Sequence, residues 1–536
     1  MAHEGFDHGD LRVRPAPIRS EKTSKGEGRQ LVIFWSGVAL LLALLAFLIL
    51  PTLNLGFVCD DFFLLVPDQK LSLTQSADEL HRPLRNAIIR VAESQLGIQQ
   101  VLPYRLLVAG SFLGALALLF RLIRRLGANR LGALAAVFVL AFFPRNQEVL
   151  NWFAAWQDLA AAVAVLIACL FFLDFRKSDR PRSLVVAAIA YLIALGFKET
   201  TVVLPVLLVS IDFYLERSIS LFSRRTFWKA YIPFACILVV YVIVFFSESG
   251  WASLAGRRTS GYYGFRGFSM ALEGVVRALI NIALPYSVPL GLKDIQSWHV
   301  VVLLFELGVG LFLVWRLQLW FASILTVSWL AGTILPTATF AIGNADRYLF
   351  VPMLGVAIFF GLLAHELVVS SEGATYSVLA VVALALYTSV GISQLVINRE
   401  LWRKAGTEAA WIVRDTIRQC STLPPGSEVD IINVTHTLRP RIAVFANGLS
   451  EALHANGLSR SARILRNFST PDAQQQRLVG QLLQCSNPPP EAARKRTILI
   501  EVGGAIRKLD SGCASTLVES DRVQRPNAWD VLYSGQ

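Results

Sequence analysis

Long apolar runs separated by short basic segments fill most of the first 400 residues. The first run, LVIFWSGVALLLALLAFLIL, is long enough to cross a bilayer and lacks a small-residue cleavage site after it, which predicts a retained signal anchor behind a polar cytoplasmic tail over residues 1–30. Further spans are predicted at about 101–120, 131–147, 153–173, 183–197, 200–215, 230–247, 297–315, 318–336, 346–364 and 376–396.

The positions of Lys and Arg orient these spans. Basic residues crowd the N-terminal tail and the turns RLIRRLGANR, RKSDRPR and ERSISLFSRRTFWK, so the positive-inside rule places these segments in the cytoplasm and loop 52–100 outside. Segment 270–291 contains Arg277, Asn281 and two prolines, which favours an interfacial helix over a span. About eleven spans in all would leave the C-terminus outside; an extra span at 270–291 would reverse every later loop.

The composition changes after the multi-span region 31–396. The stretches LPPGSEVDIINV and RIAVFANGLSEALHANG predict strand, turn, strand and helix. The predicted fold is therefore an all-α polytopic membrane protein with a small α/β extracytoplasmic domain over residues 397–536. Three of the six cysteines lie in this domain, and an oxidising compartment would permit one disulfide, for which Cys485 and Cys513 are candidates.

Composition supports a membrane protein and argues against a nucleic-acid partner. The 536 residues are 54% hydrophobic and 16% charged, with a mean hydropathy of +0.53. The net charge of +12 comes from cations that lie between apolar runs, as expected for loops at a membrane surface. No metal-ligand spacing, internal repeat or glycine-rich phosphate loop is present in the sequence.

Ionisable residues recur at the predicted outer ends of the spans. Such residues are costly near hydrocarbon, so their recurrence on one side predicts a polar cavity at the membrane interface. The groups are Asp60 and Asp61; His81, Arg82 and Arg85; Glu148, Trp152 and Asp158; Lys198 and Glu199; and Asp346, Arg347 and Tyr348.

Each group also has a simpler interpretation. The two aspartates could cap a helix, and the arginines could hold lipid headgroups. Lys198 and Glu199 could be a structural pair in a turn, and Trp152 could belong to an aromatic belt. No single group decides between a structural and a functional role.

Taken in order, the groups resemble the polyprenyl-phosphate-sugar-dependent GT-C glycosyltransferases. The resemblance rests on the acidic pair after the first span, RPL in the same loop, W followed by five residues and DL, KET between spans five and six, and RYLF-P late in the chain. It covers roughly residues 30–400 and is closest to the branch that contains the transmembrane-and-tetratricopeptide O-mannosyltransferases and their bacterial relatives. Two features depart from that pattern: Trp156 stands where the family usually has Arg, and no tetratricopeptide repeats follow the last span.

The resemblance implies transfer of a sugar, a mannose-like hexose or another, from a polyprenyl-phosphate donor to a hydroxyl of a protein, lipid or polysaccharide. It implies inversion, with Asp60 or Asp61 as the base and a slight preference for Asp60. A departing phosphate needs cations, for which Arg347 is the first candidate and the others are Arg82, Lys198, Arg257 and Arg258. Supporting or sugar-contacting candidates are His81, Glu148, Trp152, Asp158, Glu199, Tyr262, Tyr263, Asp346 and Tyr348.

Several alternatives stay open at this stage. Asp61 could instead bind a divalent cation, Mg²⁺ or Mn²⁺, and the basic loop around Arg257 could bind anionic headgroups. A multi-span lipid or sugar transporter would also contain a few charges among its spans, and an inactive sugar-binding scaffold is a further rival. The excess of Arg over Lys and the abundance of Ala and Leu favour a bacterial inner membrane, with the N-terminus cytoplasmic and the C-terminal domain periplasmic.

Overall fold

The structure is a computed structural model that describes residues 24–65, 82–218, 225–245, 268–285, 295–338, 345–369, 373–421, 428–432, 437–439, 442–445, 449–456, 496–502 and 505–509. The described α-helices of the first half are α1 Ser24–Ile49, α2 Asp60–Leu65, α3 Pro83–Leu96, α4 Val101–Arg125, α5 Arg130–Ala141, α6 Gln147–Asn151, α7 Trp156–Ser178, α8 Pro181–Phe197, α9 Leu204–Glu216 and α10 Arg225–Phe245. Those of the second half are α11 Phe268–Ala283, α12 Ser297–Arg316, α13 Trp320–Ala338, α14 Phe350–Val369, α15 Gly373–Cys420 and α16 Leu449–Ala455. Short 3₁₀ helices at Leu50–Asn54, Pro144–Asn146, Phe153–Ala155, Glu199–Val203 and Asp346–Leu349 connect several of them.

Seven stretches of the described helices are long and apolar enough to cross a membrane. They are Gln30–Asn54, Val101–Arg125, Phe153–Ser178, Ser297–Arg316, Trp320–Ala338, Asp346–Val369 and Val378–Cys420. An eighth results if Arg130–Ala141 and Pro144–Asn151, which meet at an angle of 55°, form one broken span. These helices confirm the prediction of a helical, multi-pass membrane protein.

The predicted count of about eleven spans exceeds the number of described helices that are long enough. A helix lies in each predicted range, but α8 has 17 residues and α9 has 13. At 1.5 Å per residue α9 is about 20 Å long, shorter than a hydrocarbon core of about 30 Å. The predicted span at 200–215 is shortened because its first residues form the 3₁₀ helix Glu199–Val203. The predicted interfacial helix at 270–291 corresponds to α11, which at 16 residues is also too short to count as a span.

The core of the bundle lies around α7 and α14. The α7 helix packs against α4 and α8, and α14 packs against α5 and α13. Small residues allow the closest of these approaches: a Cβ atom on Gly132 would lie 2.5 Å from the carbonyl oxygen of Gly361. Small residues at helix interfaces are typical of membrane bundles, where close backbone contact stabilises association.

The C-terminal region begins inside a helix. The α15 helix contains 48 residues and runs through the predicted domain boundary at 396–397 without a break. The described strands that follow are β1 Glu428–Ile432, β2 Thr437–Arg439, β3 Ile442–Ala443, β4 Arg496–Val502 and β5 Ala505–Leu509. β4 pairs in parallel with β1 and antiparallel with β5, and β2 pairs antiparallel with β3.

β1, β3 and α16 lie in the two stretches that predict strand, turn, strand and helix, whereas β2, β4 and β5 lie outside them. An α/β domain over 397–536 stays a prediction. The candidate disulfide residues Cys485 and Cys513 lie outside the described residues.

A close contact between α15 and the end of α5 gives a test of this packing. A Cβ atom on Gly391 would lie 1.9 Å from the carbonyl oxygen of Phe142, so Gly391→Ala is expected to lower the free energy of unfolding by about 1–3 kcal/mol. Gly308→Ala is the matched control, because no atom lies within 4 Å of a Cβ placed there. Thermal unfolding in detergent measures both, and equal melting temperatures for the two variants would contradict the contact.

Candidate active site

The acidic pair lies in the segment 55–65 between α1 and α3, which we call the acidic loop. Asp60 begins α2 and is partly exposed, whereas Asp61 is fully buried. The two carboxylate oxygens of Asp61 accept hydrogen bonds from the backbone N–H groups of Val58, at 3.1 Å, and Ala154, at 2.7 Å. Asp61 therefore fastens the acidic loop to residues 142–156, which we call the connecting segment.

Arg105 strengthens the same attachment from α4. Its guanidinium group donates to the carbonyl oxygens of Leu55 at 3.0 Å and Gly56 at 2.7 Å in the acidic loop, and of Asn151 at 2.7 Å in the connecting segment. Arg105 was not among the predicted site residues. Its position inside a predicted span could have identified it, because a charged side chain there is expected to have a specific partner.

The two aspartates therefore have different environments. Burial raises the pKa of Asp61 to about 7, against the opposing influences of the Arg105 guanidinium and of the two backbone N–H groups. Asp60, one residue earlier, follows Cys59, whose φ of 48° lies in the left-handed region. That conformation is uncommon for a residue other than glycine and is often found at functional sites.

Arg347 is held against the connecting segment. Its backbone nitrogen and Nη1 both lie 3.2 Å from Oε2 of Glu148. Its guanidinium carbon lies 4.8 Å from the centre of the Trp152 ring and 4.9 Å from that of Tyr348, distances typical of cation–π contacts. Ala154, which binds Asp61, is two residues from Trp152. The acidic loop and Arg347 thus meet on one short segment.

The α15 helix supports this segment from a third direction. Nε1 of Trp402 donates to Oε1 of Gln147 at 2.5 Å, and Nε2 of Gln147 donates to Oδ2 of Asp346 at 2.9 Å. The Trp402 ring stacks on Trp152 with centroids 5.9 Å apart. Asp346 therefore positions the turn that carries Arg347, whereas Gln147 and Trp402 are partners that sequence reasoning missed.

A second cluster of charges forms where α3, α7 and the turn after α8 meet. Nε and Nη2 of Arg82 donate to the two carboxylate oxygens of Glu199, both at 2.9 Å, in a bidentate pair. Nη1 of Arg82 and Nη1 of Arg85 share Oε1 of Gln157, at 3.0 and 3.2 Å. Gln157 was not among the predicted site residues; its signal was its position directly before Asp158.

Lys198 and Glu199, which could be a structural pair in a turn on sequence grounds, each pair with a different residue. Nζ of Lys198 donates to Oδ1 of Asp158, while Glu199 binds Arg82. Adjacent residues in a turn project in different directions, so each finds its own partner on a different helix. Burial lowers the pKa of Lys198 to about 8, with the Asp158 carboxylate opposing the shift. Burial acts to raise the pKa of Glu199, but the Arg82 guanidinium outweighs it and the pKa is lowered.

Tyr348 connects the two clusters. Nζ of Lys198 lies 4.3 Å from the centre of its ring, which also contacts Arg347. A small pocket lies beside Lys198, Asp158 and Tyr348. Its lining combines four threonines with an apolar part that includes Val165 and Leu207. Asp60 and Asp61 are not part of this lining.

Several buried polar atoms near the clusters have no hydrogen-bond partner among the described residues. They include Nε1 of Trp152 and Oδ2 of Asp158. Buried polar atoms are normally satisfied, so an atom left unsatisfied in a folded protein often marks a place for water or a ligand. Trp152 Nε1 offers a donor and Asp158 Oδ2 offers an acceptor.

The remaining predicted site residues have no described position. His81, Arg257, Arg258, Tyr262 and Tyr263 lie outside the described residues. Within the described ranges, no three side chains of His, Cys, Asp or Glu are grouped to hold a metal ion. Both oxygens of Asp61 accept from N–H groups, a geometry that suits backbone positioning better than metal ligation. Dependence on Mg²⁺ or Mn²⁺ stays a prediction.

Comparisons with known proteins give no relative for this arrangement. No protein-family model matches the chain, and no curated protein matches it significantly. The family resemblance therefore rests on the motifs quoted above.

The environment of Asp61 predicts a pH dependence of stability. The ordinary pKa of 3.8 applies in the unfolded chain and about 7 in the folded one, so between these values the folded state binds more protons. The contribution of Asp61 to the free energy of unfolding should therefore fall as pH rises from about 4 to about 7, and it should not change further above pH 7. Asp61→Asn should flatten this slope in thermal unfolding measured from about pH 5 to pH 8. An unchanged slope would show that Asp61 is not the group responsible.

Proposed function

We propose that this protein is a GT-C type membrane glycosyltransferase that moves a sugar from a polyprenyl-phosphate donor to an acceptor hydroxyl. The observation that carries the proposal is the meeting of the acidic loop and Arg347 on the connecting segment, next to two further buried cation–carboxylate pairs. A transferase of this kind needs a base for the acceptor and cations for the departing phosphate. Both are present at one end of the helical bundle.

The base is Asp60. Its side chain is partly exposed, whereas the oxygens of Asp61 are committed to backbone N–H groups. Asp60 would accept the proton of the acceptor hydroxyl while the new bond to the anomeric carbon forms and the bond to the phosphate oxygen breaks. One base and direct displacement give inversion at the anomeric carbon.

Arg347 is the main phosphate ligand. Guanidinium groups bind phosphate oxygens through paired donors, and Glu148 together with the rings of Trp152 and Tyr348 fixes the position of this group. The unsatisfied Nε1 of Trp152 supplies a further donor on the same side of the site. These contacts stabilise the negative charge on the leaving group as it develops.

The small pocket beside Lys198 is the candidate position for the part of the donor next to the phosphate. Lys198 supplies a cation there, while Val165, Leu204 and Leu207 supply an apolar wall. An apolar wall with one cation suits a phosphate joined to an isoprenoid chain.

The active site faces the extracytoplasmic side of a bacterial inner membrane in this proposal. The α4 helix runs from Arg105, at the acidic loop, to Arg125 at the other end of the bundle. Arg124, Arg125 and Arg176 mark that other end, and the positive-inside rule assigns it to the cytoplasm. The sugar can be mannose or another hexose, and the acceptor a protein, a lipid or a polysaccharide.

The variant Asp60→Asn tests the role of Asp60 as the base. Asp60→Asn keeps the shape of the side chain but removes the proton acceptor, so the rate of sugar transfer should fall by about 10²- to 10⁴-fold while donor affinity is unchanged. The assay uses purified protein and a panel of labelled polyprenyl-phosphate sugars. Asp174→Asn is the matched control, because Asp174 pairs with Arg125 at the opposite end of the bundle and should keep the wild-type rate.

Two results would count against this assignment. A normal rate in Asp60→Asn would remove Asp60 as the base. Movement of labelled lipid across vesicle membranes by the wild type, with no transfer from any donor and no effect of Asp60→Asn, would favour the alternative, a lipid or sugar transporter.

The variant Arg347→Lys tests the role of Arg347 as the phosphate ligand. Arg347→Lys keeps a positive charge beside the buried Glu148 carboxylate but removes the guanidinium fork. The dissociation constant of the donor should rise by about tenfold or more, as measured by equilibrium binding of labelled donor. Arg403→Lys alters an exposed pair with Glu400 and should leave affinity unchanged; an equal affinity in Arg347→Lys would contradict the role of Arg347.

A further inference from the structure

The C-terminal part of the chain touches the acidic loop directly. The carbonyl oxygen of Val444 accepts a hydrogen bond from the backbone N–H of Cys59 at 3.0 Å. The Phe445 ring stacks on Phe62, with centroids 5.7 Å apart and an interplanar angle of 26°. Val444 and Phe445 are fully buried and belong to the same hydrophobic core as the membrane helices.

The hydrogen bond to Val444 is made by Cys59, a residue of the acidic loop with a left-handed backbone conformation. Cys59 has a φ of 48° and directly precedes Asp60. A residue other than glycine keeps a left-handed conformation when the surrounding structure determines it. The contact with Val444 is therefore part of what sets the backbone direction at Asp60.

A second set of contacts extends this support to both sides of the loop. The α16 helix packs against α2 and α15, and its side chains Leu449 and Leu453 are buried. At the end of the helix, Oδ1 of Asn456 accepts from Nε2 of Gln99 at 3.3 Å. The C-terminal residues thus contact α2 and the turn that leads into α4.

The supports of the acidic loop come from two different parts of the chain. Arg105 and Ala154 hold residues 55–56 and Asp61 to the membrane helices. Cys59 and Phe62, which lie on either side of the acidic pair, are held by Val444 and Phe445. The contacts with the membrane helices and those with the C-terminal residues thus reach different residues of the acidic loop.

We propose that Val444, Phe445 and the α16 helix form a positioning element of the active site, which fixes Asp60 through Cys59 and Phe62. This inference rests on the proposed function. A misplacement of about 1 Å in a reacting group can reduce a rate by about 10²-fold. The C-terminal region therefore controls the rate of transfer through the acidic loop, while donor binding depends on the clusters around Arg347 and Lys198.

Replacement of Phe445 in the full-length chain tests the element. Phe445→Ala removes the ring that stacks on Phe62. Ile442→Ala is the matched control, because Ile442 is also a buried apolar residue but belongs to β3, which pairs with β2. Hydrogen exchange of the peptide 56–65 should become about tenfold faster in Phe445→Ala and stay unchanged in Ile442→Ala. The kcat should fall about tenfold or more in Phe445→Ala, with the KM for the donor unchanged, and Phe445→Leu should recover part of it.

The two readouts separate the possible failures. Equal effects of Phe445→Ala and Ile442→Ala on exchange, or no effect of either, would overturn the positioning role. Faster exchange with an unchanged kcat would also overturn it, because an ordered loop would then not be needed for the reaction. If the wild type transfers no sugar, the proposed function is wrong, and the exchange result still decides whether Phe445 orders the acidic loop.

Discussion

Buried charges at the end of a membrane bundle must have partners, and this constraint organises the site. Arg82 is bound to Glu199, Lys198 to Asp158 and Arg347 to Glu148. Each pair joins elements that are distant in sequence, so the pairs also fix how the ends of α3, α7 and α14 meet. Burying an ion pair is seldom more stabilising than packing apolar side chains of similar volume. Three such pairs in one region therefore require an explanation other than stability, and binding of a charged substrate provides one.

In the proposed function, the pairs would let the site receive a phosphate without carrying unbalanced charge beforehand. Asp158 neutralises Lys198, yet its Oδ2 has no hydrogen-bond partner among the described residues. A phosphate oxygen that approaches the ammonium group would share it with, or displace, only one carboxylate oxygen. Glu148 holds Arg347 through Oε2, which accepts from both the backbone nitrogen and Nη1 of Arg347. Glu199 holds Arg82 in a bidentate pair.

Much of the architecture and part of the site could be predicted from the sequence. Apolar runs predict the helices, and the cost of charge near hydrocarbon selects the groups that contain Asp60 and Asp61, Lys198 and Glu199, and Asp346 and Arg347. The partners of these residues could not be predicted, since they depend on which helix ends meet; Lys198 binds Asp158 and not its neighbour Glu199. Arg105 was missed because it lies within an apolar pattern, and the short length of α9 was missed because apolar residues continue into the 3₁₀ helix before it.

The acidic loop explains why two adjacent aspartates can serve different purposes. Successive residues of a helix project about 100° apart, so the backbone that turns Asp61 inward to Val58 and Ala154 turns Asp60 toward a less buried position. In the proposed reaction, the Asp60 carboxylate must point toward the acceptor hydroxyl. A short loop does not fix the orientation of such a side chain by itself. The loop is instead held between α4 and the connecting segment on one side and Val444 and Phe445 on the other. In our proposal, the reactivity of a residue near the start of the chain therefore depends on the packing of a segment near its end.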